Sequence, residues 1–313
     1  MGQNSKGEKQ RLLVPDRFLC SGNPFDDYEV IGGDALRSND PVLAHIRAAA
    51  IAGHMDIDAD FMAKLPNLEI IAKRGVGYDN VDVAAATRAG VIVTNTPDVL
   101  TDEVADLTLG LLIATVRRIP QADRYVRDGK WPAAGFPLSS SLRGRKVGIA
   151  GLGRIGAAIA RRVQAMDLEV GYYGRRQQPD VAWPYFDRVV DLARASDVLI
   201  VMVPGGPDTH NLINGEVLKA LGPDGVLINV ARGSVVDEAA LIEALRTGTI
   251  AAAGLDVFVD EPAVPRALIE LENTVLLPHV GSGTTTTREA MGDLVFTNLQ
   301  SWFAGKGAVT PVN

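Results

Sequence analysis

Short apolar runs recur along this chain, separated by stretches whose apolar positions repeat every three or four residues. The runs at 12–15, 46–53, 68–73 and 91–95 predict buried strands, and 60–65 and 81–89 predict helices between them. A second series follows, with strands expected at 146–150, 169–173, 198–203, 226–230, 252–256 and 274–277. Helices are expected at 155–166 and 238–247, with short pieces between the other strands. Apolar strands alternating with helices are the mark of parallel βαβ construction. No internal repeat or low-complexity tract interrupts the pattern.

Residues 101–118 separate the two series and predict a helix. Thr101 reads as its N-cap, Asp102 and Glu103 lie in the first turn, and Arg117 and Arg118 lie in the last, as the helix dipole favours. Its middle is apolar on nearly every side, so it is expected to be buried all round, wedged between domains or subunits. A second helix at 120–128 leads into Gly129-Lys130-Trp131-Pro132, expected to be an exposed arm. One more long helix is expected at 285–304, where Met291, Leu294, Val295, Leu299 and Phe303 form a core-packing stripe. Its place after the last strand predicts a discontinuous first domain, 1–100 plus 285–313, around a second at 101–284.

Composition narrows the function classes. The 313 residues are 47% hydrophobic and 22% charged, which suits a globular protein of two domains. A net charge of −7 argues against a nucleic-acid partner. Cys20 is the one cysteine, which excludes an intrachain disulfide and a cysteine zinc site; it reads as a buried or incidental thiol. Residues 1–10 are polar and read as a disordered lead-in without the apolar core of a secretory signal. With no membrane-length apolar run either, a cytoplasmic location and no membrane partner are expected.

Chemistry enters at Gly151-Leu152-Gly153-Arg154-Ile155-Gly156, which follows an apolar strand and opens an amphipathic helix. In that context the three glycines fit a dinucleotide fingerprint: a tight turn, a close approach to the pyrophosphate, and close helix–strand packing. The next strand ends in Gly174-Arg175-Arg176. An NAD site usually carries an acidic residue there for the ribose 2′-hydroxyl, whereas guanidinium groups suit a 2′-phosphate. NADPH is therefore the expected cofactor, with NADH weaker.

Three further islands, each after an expected strand, carry Arg232, Glu261 and His279. A guanidinium can grip a carboxylate-bearing substrate, and an imidazole held by a carboxylate can pass a proton near neutral pH. His45, His54 and His210 lack such company and read as structural or exposed. No histidine–carboxylate cluster has metal-ligand spacing, so no metal is expected.

The order of these motifs, with Gly254-Leu255-Asp256, Asp260-Glu261-Pro262 and Pro278-His279-Val280-Gly281 in sequence, resembles the D-isomer-specific 2-hydroxyacid dehydrogenase family. The likeness covers nearly the whole chain beyond the N-terminal tail. It is strongest toward the NADPH-dependent glyoxylate/hydroxypyruvate reductases and the plant-type hydroxypyruvate and hydroxyphenylpyruvate reductases. The resemblance implies two doubly wound parallel-sheet domains, a flavodoxin-like substrate domain and a Rossmann dinucleotide-binding domain, with the active site in the cleft. It implies that Arg232 binds a small 2-oxo acid, that His279 donates the proton, and that Glu261 holds His279 and stabilises its charged form. Asp256 would orient the nicotinamide carboxamide. In Lys73-Arg74-Gly75-Val76-Gly77-Tyr78, Val76 and Gly77 would cradle the substrate carboxylate, with Arg74 and Tyr78 lining the pocket. Cofactor contacts are implied for Gly151 to Gly156, Gly174, Arg175, Arg176, Val203, Pro204, Thr209, Val230, Ala231, Arg232, Asp256, His279 and Gly281. A homodimer is expected as well. The alternatives are an NAD-linked enzyme of lactate or phosphoglycerate type, and a non-catalytic dinucleotide sensor like the family's corepressor relatives.

Overall fold

The computed structural model describes residues 9–15, 18–53 and 55–313. The expected disordered lead-in falls largely on residues outside that set, as does His54. The chain divides into two compact units, Met1–Leu100 with Thr284–Asn313, and Thr101–Gly283.

The first unit opens with β1 (Gln10–Val14), β2 (Tyr28–Gly32), α1 (Asp34–Ser38), β3 (Ala48–Ile51), α2 (Ala59–Ala63), β4 (Ile70–Lys73), α3 (Val83–Arg88) and β5 (Ile92–Thr94). The second unit contains α4 (Thr101–Arg117), α5 (Ile119–Arg127), β6 (Lys146–Ala150), α6 (Arg154–Gln164), β7 (Glu169–Tyr173), β8 (Tyr185–Phe186), α7 (Val189–Arg194), β9 (Val198–Val201), α8 (Gly215–Leu221), β10 (Val226–Asn229), α9 (Glu238–Thr247), β11 (Ala252–Leu255), α10 (Arg266–Ile269) and β12 (Thr274–Leu276). The chain then returns to the first unit with α11 (Thr285–Phe303).

The first unit is built on a five-stranded parallel sheet in the order β2-β1-β3-β4-β5. Alternation along the strands divides its core. Leu12, Ala48, Ala50, Ile70 and Ala72 face Val295, Phe296 and Leu299 of α11. Leu13, Ala49, Ile51 and Ile71 face Phe61 and Met62 of α2 and Ala85 and Ala86 of α3. Covering both faces is what a parallel sheet requires. β2 has no counterpart among the expected strands: it lies at the sheet edge, with Glu29, Val30 and Gly32 exposed, so it offers no continuous apolar run.

Cys20 lies half-buried where α11 passes closest, since a Cβ on Gly292 would stand 2.8 Å from its Sγ. Burial, then the Asp293 charge, push its thiol up to about 11.

The second unit carries seven parallel strands in the order β12-β11-β10-β9-β6-β7-β8. The chain reverses direction across the sheet between β6 and β9, which flank the switch point where doubly wound sheets bind ligands. Val147, Ile149, Ile200 and Ile228 point toward α4 and α6; Leu199, Val201, Leu227 and Leu255 point toward α7, α8 and α9. β8 was also beyond the sequence reading, being only two residues long.

The helix α4 departs from expectation in two ways. It begins at Thr101 itself, so that residue is helical rather than a cap preceding the helix. It is also buried on one face only: Val104, Ala105, Thr108, Leu111, Leu112, Thr115 and Val116 are covered, while Asp102, Asp106, Gly110 and Arg117 are exposed. Asp102 and Asp106 on the open face meet Arg162 of α6 at 2.9 and 2.5 Å. Apolar content overstated burial because Gly110 and Ala114 cover little surface themselves.

Candidate active site

In a parallel sheet all strands end on one edge, and every cofactor or catalytic candidate of the second unit follows such an end. The glycine loop follows β6, Gly174 follows β7, Val203 and Pro204 follow β9, Val230 to Arg232 follow β10, Asp256 follows β11, and His279 follows β12.

The glycine loop has the shape a dinucleotide needs. Gly151 has φ +106°, and a Cβ there would stand 2.5 Å from the carbonyl oxygen of Met202. A Cβ on Gly156 would reach 2.1 Å from the Gly151 oxygen, so the helix packs against the turn only because that residue has no side chain. Gly153, by contrast, has nothing within 4 Å of its missing Cβ. That open space lies at the N-terminus of α6, where no side chain caps the first amides. Uncapped amides and the helix dipole suit a pyrophosphate. Arg154 is exposed at the mouth of the loop, Ile155 is half-buried and Leu152 is buried.

Beyond β7, Arg175 and Arg176 are both exposed. Among the described residues neither makes an ion pair. Val203 and Val230 are buried walls, whereas Thr209 turns its hydroxyl onto the Pro204 carbonyl oxygen at 2.6 Å.

The loop that carries Arg232 is organised by a residue the sequence reading passed over. Asn229, buried at the end of β10, accepts the Ala231 amide at 3.1 Å and donates its own amide to the Arg232 carbonyl at 2.9 Å. Its own carbonyl accepts the Asp256 amide, tying β10 to β11. A polar residue closing the apolar run Val226-Leu227-Ile228 was the available signal. Gly233 was missed as well. A Cβ there would fall 1.9 Å from the Phe258 carbonyl carbon, so the Arg232 loop rests directly on the segment leading to Glu261. Arg232 itself is extended and half-buried, with Nη1 donating to the Ala231 carbonyl at 2.7 Å.

Glu261 and His279 meet. Nδ1 of the imidazole lies 2.6 Å from Oε2 of the carboxylate, whose other oxygen accepts the Phe258 amide at 3.0 Å. Both carboxylate oxygens are thus engaged, which fixes the ring plane of His279. The side chains are 16% and 31% exposed for Glu261 and His279, so the pair is sheltered while the imidazole keeps an outlet.

His279 adopts φ +53°, unusual for a side chain of its size, and three bonds hold the bend. Its amide donates to the Asp256 carbonyl, while the Val280 and Gly281 amides donate to the two Asp256 carboxylate oxygens, each at 2.8 Å. Burial raises the pKa of Asp256 against the pull of those amides. His45 and His210 are exposed. Among the described residues no group of three or more His, Cys, Asp or Glu side chains could hold a metal. No helix among them is long and apolar enough to cross a membrane.

The remaining candidates, Arg74, Val76, Gly77 and Tyr78, belong to the first unit. Their loop leaves β4 through Gly75, whose φ of +124° requires glycine. It is pinned by the Gly75 amide on Thr96 Oγ1 at 2.9 Å and by Asn95 Nδ2 on the Val76 carbonyl at 2.9 Å. Among the described residues the amides of Val76 and Gly77 donate to no protein acceptor, as an anion cradle needs. The Arg74 guanidinium lies 5.4 Å above the Phe18 ring, and Tyr78 is exposed.

Known proteins resemble this chain in sequence and in fold. Residues 109–281 match the model of the D-isomer specific 2-hydroxyacid dehydrogenase, NAD binding domain. The chain is 51% identical to glyoxylate/hydroxypyruvate reductase A of Arabidopsis thaliana over 267 residues, covering 85% of each. It is equally similar, 51% over the same length, to hydroxyphenylpyruvate reductase of Plectranthus scutellarioides, again covering 85% of each. Among solved structures, the NADPH-dependent glyoxylate/hydroxypyruvate reductase of Sinorhizobium meliloti, in complex with NADP and malonate, aligns with a TM-score of 0.92. That alignment has 46% identity and covers 97% of both chains. A glycine loop at the switch point, a carboxylate-held histidine after the last strand and likeness of this extent lead to one conclusion: the chain belongs to the D-isomer specific 2-hydroxyacid dehydrogenase family.

Proposed function

We propose that this protein is an oxidoreductase that uses NADPH to reduce a small 2-oxo acid, of the glyoxylate and hydroxypyruvate class, to the D-2-hydroxy acid. The observation that carries the reading is the His279–Glu261 pair at 2.6 Å, sheltered on the same strand-end edge of the sheet as the glycine loop. The similarity to glyoxylate/hydroxypyruvate reductases supports the substrate class, and the NADP complex of the Sinorhizobium protein supports the cofactor.

Reduction of a carbonyl needs a hydride on carbon and a proton on oxygen. The nicotinamide supplies the hydride when bound; the protein must hold the acid, deliver the proton and shape the approach. Arg232 carries a permanent positive charge that pairs with the substrate carboxylate and fixes the carbonyl. Because Nδ1 of His279 is bonded to Glu261, Nε2 is the position from which the proton passes to the carbonyl oxygen. Glu261 stabilises the imidazolium before transfer and keeps the ring in plane after it. The reverse oxidation uses the same pair, with His279 as base.

Gly151 to Gly156 are assigned to the pyrophosphate, Gly174 with Arg175 and Arg176 to the adenosine ribose and its 2′-phosphate. Val203, Pro204, Thr209, Val230, Ala231, Asp256 and Gly281 are assigned to the rest of the dinucleotide. In the first unit, the Val76 and Gly77 amides are assigned to the substrate carboxylate, with Arg74 and Tyr78 beside them. The same reading includes a homodimer, supported by exposed apolar side chains, Ile119 and Val126 on α5 and Trp131 and Leu138 after it, which are 49%, 56%, 66% and 100% exposed. It also includes a cytoplasmic location, consistent with a single cysteine.

The test is NADPH oxidation with glyoxylate, hydroxypyruvate, hydroxyphenylpyruvate and a sugar-derived 2-oxo acid, repeated with NADH. His279→Ala should lower kcat roughly 10²- to 10⁴-fold while leaving NADPH affinity nearly unchanged. Loss of NADPH binding in that variant would make His279 structural. No turnover with any acid would overturn the enzyme reading in favour of a dinucleotide sensor, and faster turnover with NADH would overturn the cofactor assignment.

A further inference from the structure

We propose that Gln178, with the hydroxyls of Tyr172 and Tyr185, forms a staple that holds the Gly174–Arg176 turn ready for the 2′-phosphate. The staple makes Gln178 a positioning residue for cofactor choice. This rests on the NADPH reading above and adds the device that gives the two arginines their reach.

The turn is tied at both ends. At its start, Tyr185 Oη donates to the Gly174 carbonyl at 3.2 Å. At its close, the Gln178 backbone amide donates to Tyr172 Oη at 2.9 Å. The two rings belong to neighbouring strands, β7 and β8, and pack with centroids 5.4 Å apart. Tyr172 is fully buried, so its hydroxyl is a fixed point rather than a mobile acceptor.

A third bond gives the arrangement its direction. Gln178 Nε2 donates to the carbonyl of Leu152 at 2.6 Å, and Leu152 sits inside the glycine loop. One side chain therefore connects the two places where a single NADPH carries negative charge. Its length sets the spacing between the pyrophosphate amides and the basic turn. Arg175 and Arg176 remain exposed on a backbone that is tied on both sides.

Two long, exposed guanidinium side chains lose much freedom when they close on a phosphate. Fixing their backbone beforehand removes part of that loss, so the staple raises affinity without touching the ligand. NADH lacks the 2′-phosphate and gains little from the turn. The staple should therefore act on NADPH selectively, which ordinary structural support would not do.

The experiment measures dissociation constants of the full-length protein for NADPH, NADH and adenosine 2′,5′-bisphosphate. Gln178→Ala and Tyr185→Phe are compared with an Arg175→Ala/Arg176→Ala double variant. Loss of one such hydrogen bond should weaken NADPH and the bisphosphate about fivefold, with NADH moving less than about twofold. Equal weakening of NADPH and NADH, or no change in either, would overturn the staple. Tyr185→Phe removes one hydroxyl and keeps the ring, so it decides the matter if Gln178→Ala fails to fold. If the double arginine variant leaves the NADPH-to-NADH ratio unchanged, the NADPH reading itself falls. If that variant shifts the ratio and the staple variants do not, only the staple falls.

Discussion

Gly174 has a backbone that residues with side chains adopt readily, since its φ lies outside the left-handed region. A Cβ there would meet the Arg176 carbonyl oxygen at an ordinary 3.7 Å. In the proposed NADPH site its value is chemical: it withholds a carboxylate from the ribose. Gly174→Asp should therefore fold normally, weaken NADPH by roughly tenfold or more through repulsion of the 2′-phosphate, and strengthen NADH through its 2′-hydroxyl. Fluorescence titration with both cofactors checks this, and unchanged selectivity would refute the assignment. At this scale the sequence was informative where a residue's chemistry is scarce. His279 and Glu261 could be picked out because an imidazole and a carboxylate each follow an expected strand, in the motif order whose family resemblance implies the pair. Gln178 and Asn229 could not, because their importance lies in which carbonyl or amide the folded loop brings within reach.

Elements were legible in proportion to their burial. β6, β7 and α9 have the limits expected from the apolar pattern, because both sheet faces are covered and every core position must be apolar. β2 and the short β8 escaped because edge strands mix exposed and buried positions. The apolar count also misjudged α4, where small residues share a face with Asp102 and Asp106. Contacts between elements were harder still, and Gly233 shows why. Nothing in Ala231-Arg232-Gly233 announces that the glycine lies against Phe258. Gly233→Ala would force the two loops apart, since a backbone atom stands 1.9 Å from the added carbon. It should cost about 1–3 kcal/mol of stability, read as a lower melting temperature, and reduce kcat through displacement of Arg232 or Glu261. Wild-type turnover in this variant would show that the interlock does not position the site.

For the whole molecule, the sequence conveyed two parallel α/β units, since two series of apolar strands flank one long helix. The arm after that helix was less transparent. Trp131 was expected on an exposed arm, and beyond it the Phe136 ring packs on Tyr125 at 5.4 Å and under the Arg118 guanidinium. Trp131 and Leu138 are the side chains left outward. If a second copy covers this arm, Leu138→Asp should shift the protein from dimer to monomer in sedimentation equilibrium, because burying a charge there is costly. A variant that stays dimeric would move the interface elsewhere, and a monomeric wild type would remove it.

The bend at His279 bears on time as much as on geometry. Three consecutive amides, from His279 to Gly281, hang from one buried aspartate at the end of β11. A segment that is a loop by shape is therefore bonded like another rung of the sheet. Such a rung opens only when its support opens, and core strands are among the last parts of a fold to do so. In the proposed reaction, the imidazole would then be held in place between turnovers rather than found anew in each one.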